Sequence, residues 1–278
     1  MPRAKGIPAL LIAFFVLATW PLWRWLWGEW RGNAYYSHGF LIVPIAIYLA
    51  WRRISHTENG RLQPQPDHNR GLILLSGSLI AYLVAFIAKA YFLAAFAMIG
   101  LIGGLVWTTL GQDIVRQLAF PISFLALMTP LPFIEKATLP LALLTGRFSA
   151  ALARLLGLDV TVTGTAVALP NTDLVIGAQC SGVNAIIALF ALTTLLTYAL
   201  QGPLWGKLTL LALSLPLAML GNGLRVATLL FAAHYFSVET AFNFYHDYSG
   251  VVSFLLIAFL MIPLSKSLQC KTFRYDIL

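Results

Sequence analysis

The chain reads as an all-α integral membrane protein of about eight transmembrane helices, with an interfacial helix and a short extracytoplasmic hairpin. Two observations predict this class. Of 278 residues, 59% are hydrophobic and 10% charged, against roughly 45–50% and about 25% in soluble domains. The apolar residues also fall in long blocks, and a helix crosses the hydrocarbon core with about 20 of them.

Eight stretches qualify as spans: 7–27, 38–54, 71–88, 90–110, 114–129, 182–200, 205–235 and 249–266. The first starts like a secretory signal, with Arg3 and Lys5 ahead of an apolar run. It lacks a small-x-small cleavage site and continues into Trp20, Trp23, Trp25 and Trp27, so it reads as a retained helix with an aromatic belt. The loop Ser55 to Arg70, with Pro64, Gln65 and Pro66, reads as a solvated cytoplasmic connector. Gly100 and Gly104 have the small-xxx-small spacing that lets transmembrane helices approach closely. The apolar stretch 137–157 carries Arg147 and Arg154 and reads as lying in the membrane interface. Between Val160 and Ile176 the period drops to two, with Val and Leu alternating with Thr and a break at Pro170-Asn171. This pattern predicts a short hairpin leading into Cys180. No internal repeat, low-complexity tract or domain boundary is visible, so residues 1–278 read as one polytopic domain.

The formal net charge of +8 does not point to nucleic acid, because the basic residues are scattered between apolar spans and form no patch beside aromatics. Their distribution reports topology. Placing both termini, loop 55–70 and the turns near 111–113 and 201–204 in the cytoplasm collects Arg3, Lys5, Arg52, Arg53, Arg61, Arg70, Arg116, Lys207, Lys266, Lys271 and Arg274 there. These are eleven of the eighteen basic residues, so the positive-inside rule favours both termini inside, an arrangement that requires all eight spans. Cys180 then falls outside and Cys270 in the cytoplasmic tail, so the two cannot form a disulfide. Cys270 reads as a reduced bystander, with only a weak signal for juxtamembrane palmitoylation.

This threading places Cys180 at the outer start of the sixth span, where a substrate reaches it. The seventh span enters at Trp205, and twenty residues carry it about 30 Å, which sets Arg225 near the outer edge. His246 lies in the outer loop just before the eighth span. Each residue has a plainer reading: a packing cysteine, an arginine snorkelling to headgroups, a solvated loop histidine. Against these, Arg225 sits in Gly221-Asn222-Gly223-Leu224-Arg225, with Asn222 on its own helix face. A thiol, an imidazole and a guanidinium together supply a nucleophile, an acid/base and an oxyanion stabiliser. A helix start also lowers thiol pKa, so a Cys180 thiolate at neutral pH is expected, without metal or other cofactor.

Cys180-Ser181-Gly182-Val183, Asn222-Gly223-Leu224-Arg225-Val226 and His246-Asp247-Tyr248-Ser249-Gly250 resemble the three signature blocks of the exosortase/archaeosortase family. Ser37-His38-Gly39-Phe40, Pro44 and Trp51-Arg52-Arg53 resemble its early block, and Met128-Thr129-Pro130-Leu131-Pro132 its mid-chain turn. The resemblance implies Cys180 as nucleophile, Arg225 as catalytic arginine and His246 as catalytic histidine. Asn184, Asn222 and His38 are supporting candidates, with interhelical bonding or an ordinary interfacial place as their plainer roles. It further implies a multi-pass protease or transpeptidase of the cytoplasmic (inner) membrane, acting at the outer face. Its substrates would be secreted proteins carrying a sorting tail: a motif such as Pro-Glu-Pro, a transmembrane helix and a basic cluster. The product would pass through a thioester to an unidentified envelope acceptor.

Other classes fit less well. A transporter concentrates ionisable residues at the bilayer midplane, whereas the middles of these spans are nearly uncharged. A His-Glu-x-x-His metalloprotease motif is absent, although His38, His234 and His246 all fall on the outer side and leave a metal site open. A non-catalytic membrane scaffold is the remaining alternative, and it requires only an inert Cys180.

Overall fold

A computed structural model describes residues 6–57, 67–177, 180–236 and 246–274. Every one of the eight apolar stretches is helical, as backbone in hydrocarbon must be to satisfy its own polar groups. The helices are α1 (Gly6–Gly32), α2 (Gly39–Thr57), α3 (His68–Ile87), α4 (Tyr91–Leu110), α5 (Gln112–Phe124), α6 (Pro132–Leu155), α7 (Val183–Ala199), α8 (Leu204–Tyr235) and α9 (His246–Ser267). Among the described residues, five helices are long and apolar enough to cross a membrane, with a sixth if α5 and α6, interrupted near Pro130, count as one span. The expected eight spans are therefore not reached on length and composition. One reason is α7, whose 17 residues rise only about 25 Å against a core of about 30 Å.

The chain divides into two compact units, Met1–Leu131 with Tyr275–Leu278, and Pro132–Arg274. In the first, α3 and α4 form a close antiparallel hairpin. Asp67 caps α3 by accepting the Arg70 N–H at 3.2 Å. The small-residue spacing in α4 has the packing role expected of it, because a Cβ on Gly104 would stand 2.8 Å from the Leu75 backbone. The Tyr82 hydroxyl ties this hairpin to α1 by donating to the Ala18 carbonyl at 3.1 Å.

In the second unit α6, α7 and α9 all pack on α8. The stretch expected to lie in the interface forms most of α6, which buries Thr138, Ala142, Thr145, Gly146, Ser149, Ala150 and Ala153 along one face. This spacing of three and four is a helical stripe of small residues, and it brings the α6 and α8 backbones together. The segment expected as a hairpin is a three-stranded antiparallel meander, β1 (Thr161–Thr163), β2 (Ala166–Leu169) and β3 (Thr172–Val175). The additional turn is Gly164-Thr165, where Gly164 has φ 63°, as a two-residue loop with a glycine first requires. Val167, Leu169 and Leu174 turn inward and join Ala150, Ala153, Val226, Leu229, Leu230 and Ala233 in one apolar cluster that includes Cys180.

A second small sheet holds the tail. β4 (Leu200–Gln201) pairs with β5 (Thr272–Phe273), the Arg274 N–H donates to the Ala199 carbonyl at 2.8 Å, and the Arg274 guanidinium lies 5.3 Å from the Tyr198 ring centre. Cys270 is buried there against Gly202 and Gly206, which argues against lipidation at that sulfur.

Candidate active site

Cys180 stands ahead of α7 rather than in its first turn. The helix starts at Val183 because Gly182 takes φ 79°, ψ 3°, the left-handed region where a Cβ is costly. The Cys180 N–H donates to the Gly177 carbonyl at 3.0 Å, and the Ser181 hydroxyl accepts from the Val183 N–H at 3.4 Å.

Asn222 on α8 holds this turn. Its Nδ2 donates to the Cys180 carbonyl at 2.8 Å and to the Thr145 hydroxyl at 3.4 Å. Its Oδ1 accepts from Nη1 of Arg225, one turn further along α8, at 3.5 Å. From the other side, Nε of Arg225 donates to the buried Ser249 hydroxyl of α9 at 3.1 Å. A connected path thus runs from the main chain of Cys180 through Asn222 and Arg225 to Ser249. The scaffold beneath it is fixed by Ser149, whose hydroxyl donates to the Gly223 carbonyl at 2.9 Å and so joins α6 to α8. Arg225 lies 21 residues beyond Leu204, the start of α8, or about 31 Å along the axis, close to the thickness of a hydrocarbon core. Gly206, against which Cys270 packs, is 16 residues before Asn222 on the same helix. The two cysteines are therefore about 24 Å apart along α8 and cannot bridge.

Two expectations for the thiol are overturned. Cys180 is not open to substrate: it is 3% exposed, enclosed by the meander and by Val226, Leu229 and Leu230 of α8. Nor is its pKa lowered as expected. Burial pushes the thiol above its ordinary value, and the nearby Arg225 charge pulls it back by a smaller amount. The expected depression assumed that a helix terminus acts on the sulfur, but α7 begins beyond Gly182 and desolvation penalises the anion.

The other candidates fall as follows. Asn222 is central to the network. Asn184, in the first turn of α7, is exposed. His246 is the first residue of α9, three positions before Ser249, and its side chain lies outside the described residues. His38 belongs to the first unit, where its Nε2 donates to the Leu127 carbonyl at 3.0 Å. In the same place the Trp30 indole N–H donates to the Met128 carbonyl at 2.9 Å, and the Tyr36 hydroxyl both accepts the Leu131 N–H at 2.8 Å and donates to the Leu131 carbonyl at 3.0 Å. The Ser37–Phe40 block and the Pro-rich turn therefore meet, with side chains satisfying backbone groups that the broken helix leaves unpaired. Thr145, Ser149 and Ser249 join the network with little sequence signal. Only Ser249 sits within a signature block, three residues after His246.

Comparison with curated proteins and with solved structures finds no match. A family model described as transmembrane exosortase matches residues 25–263, most of the chain and all three blocks that carry Cys180, Arg225 and His246, so the chain belongs to the transmembrane exosortase family.

Proposed function

We propose that this membrane protein is a cysteine endopeptidase or transpeptidase that removes the C-terminal sorting tail of secreted proteins at the outer face of the cytoplasmic membrane. The observation that carries this reading is the hydrogen-bonded path joining the Cys180 main chain to the Arg225 guanidinium through Asn222. A guanidinium recruited to the turn that carries a buried thiol serves developing negative charge better than it serves lipid headgroups.

In the proposed reaction, His246 takes the Cys180 proton as the sulfur attacks the scissile carbonyl. A base is called for because burial holds the Cys180 thiol above its ordinary pKa. Arg225 stabilises the tetrahedral oxyanion. His246 then returns the proton to the leaving amine, and an acyl thioester on Cys180 remains. His246 next takes the proton of the incoming acceptor, an amine, a hydroxyl or water, as that acceptor attacks the thioester carbonyl; the C–S bond breaks, the product leaves, and the proton returns to the Cys180 sulfur. A substrate anchored by its own helix would present its juxtamembrane peptide at the depth of Arg225, and the cover over Cys180 must part to admit it. Both termini would lie in the cytoplasm, and the reaction as written draws on neither nucleic acid nor a cofactor.

The scaffold alternative is separated by reconstitution. The protein in lipid nanodiscs, mixed with a tailed substrate, is expected to release a product shortened at the motif, read by mass spectrometry. An intact substrate over many hours would favour the scaffold.

A further inference from the structure

The Ser249 hydroxyl meets Arg225 on the Nε edge of the guanidinium. It accepts from Nε at 3.1 Å, while the Nη1 side of the guanidinium faces Asn222 Oδ1 at 3.5 Å. The guanidinium plane is fixed once two of its edges are held, since its donors form a rigid fork. Ser249 also sits on the first turn of α9, three residues after His246. It is 8% exposed, and a Cβ on its neighbour Gly250 would lie 3.7 Å from Arg225 Cζ. The first turn of α9 therefore packs directly on the arginine.

We infer that Ser249 is a positioning residue: by accepting from Arg225 Nε it sets the orientation of the guanidinium and the register of the His246-bearing turn of α9 against α8. This rests on the reading of Arg225 as an oxyanion donor. It assigns Ser249 no contact with substrate. Its effect passes through Arg225, so it should appear in the transition state and not in ground-state binding.

The test is a double-mutant cycle on the full chain in nanodiscs, with a tailed peptide as substrate. Ser249→Ala should keep membrane level and thermal stability while kcat falls roughly tenfold to a hundredfold, the usual weight of one hydrogen bond to a charged group, with KM within about twofold. Ser249→Thr retains the hydroxyl and should restore most of kcat. Arg225→Lys should lower kcat by roughly 10²–10³ and, lacking Nε, should make Ser249→Ala silent when the two are combined. Losses that multiply in the double variant would overturn the inference, as would equal slowing by Ala and Thr, which would mark a packing role. A wild-type kcat in Ser249→Ala would overturn it as well. Failure of the underlying reading looks different: Cys180→Ala would then process substrate at the wild-type rate.

Discussion

Gly182→Ala tests how the turn before α7 presents Cys180. Two costs can be read from the structure. Residue 182 sits at φ 79°, where an L residue pays about 1–2 kcal/mol. A Cβ there would lie 2.7 Å from Asn222 Nδ2 and 2.8 Å from its Cγ, so the amide must move. That amide donates to the buried Cys180 carbonyl at 2.8 Å, and an orphaned buried acceptor costs about 1–3 kcal/mol. The two together come to at least about 2 kcal/mol, which at 1.36 kcal/mol per factor of ten is about thirtyfold in the population holding Cys180 in place. The assay is initial processing rate per folded enzyme, with thermal stability measured in parallel. Gly177→Ala is the control. Gly177 lies outside the left-handed region and a Cβ there meets nothing within 4 Å, so its rate should stay within about twofold of wild type. A wild-type rate in Gly182→Ala, or equal slowing in both variants, would refute the geometry.

Two further outcomes follow from the same structure. Cys180 has its folded pKa raised, so the folded state binds the extra proton more tightly than the unfolded state does. Its contribution to stability is complete below the ordinary thiol pKa and is lost as pH rises through the folded value. Thermal scans from pH 7 to 10.5 should show wild type losing stability more steeply than Cys180→Ala, and parallel curves would contradict the burial effect. Sidedness cannot be read from the native thiols, since Cys180 and Cys270 are both buried. In a Cys180→Ala/Cys270→Ala background, an impermeant maleimide on intact spheroplasts should label Thr163→Cys and spare Lys271→Cys, both at exposed positions. The reverse pattern would invert the topology.

The helices were legible because a run of about 20 apolar residues has few alternatives in a membrane protein. Their number was less so, since α7 is short and α5 and α6 are separated by a Pro-rich break. The sequence predicts a hairpin in place of the meander because Pro170-Asn171 is a strong turn signal, while Gly164-Thr165 offers only one glycine. Asn222 is legible from its i, i+3 spacing to Arg225, a relation local to one helix. Ser249 and Thr145 are not, because they reach the network from α9 and α6, and such pairings exist only after packing. The burial of Cys180 is hidden for the same reason: a helix start is visible in sequence, but the apolar cover from β2, β3 and α8 is not.

The proposed reaction requires the Cys180 sulfur to form the acyl intermediate. The most direct measurement is mass spectrometry of the reconstituted enzyme quenched in acid during turnover of a tailed peptide. The expected result is the N-terminal substrate fragment on Cys180, labile to hydroxylamine, and in Cys180→Ala neither adduct nor cleavage with the protein still inserted. Cleavage at the wild-type rate by Cys180→Ala would contradict it.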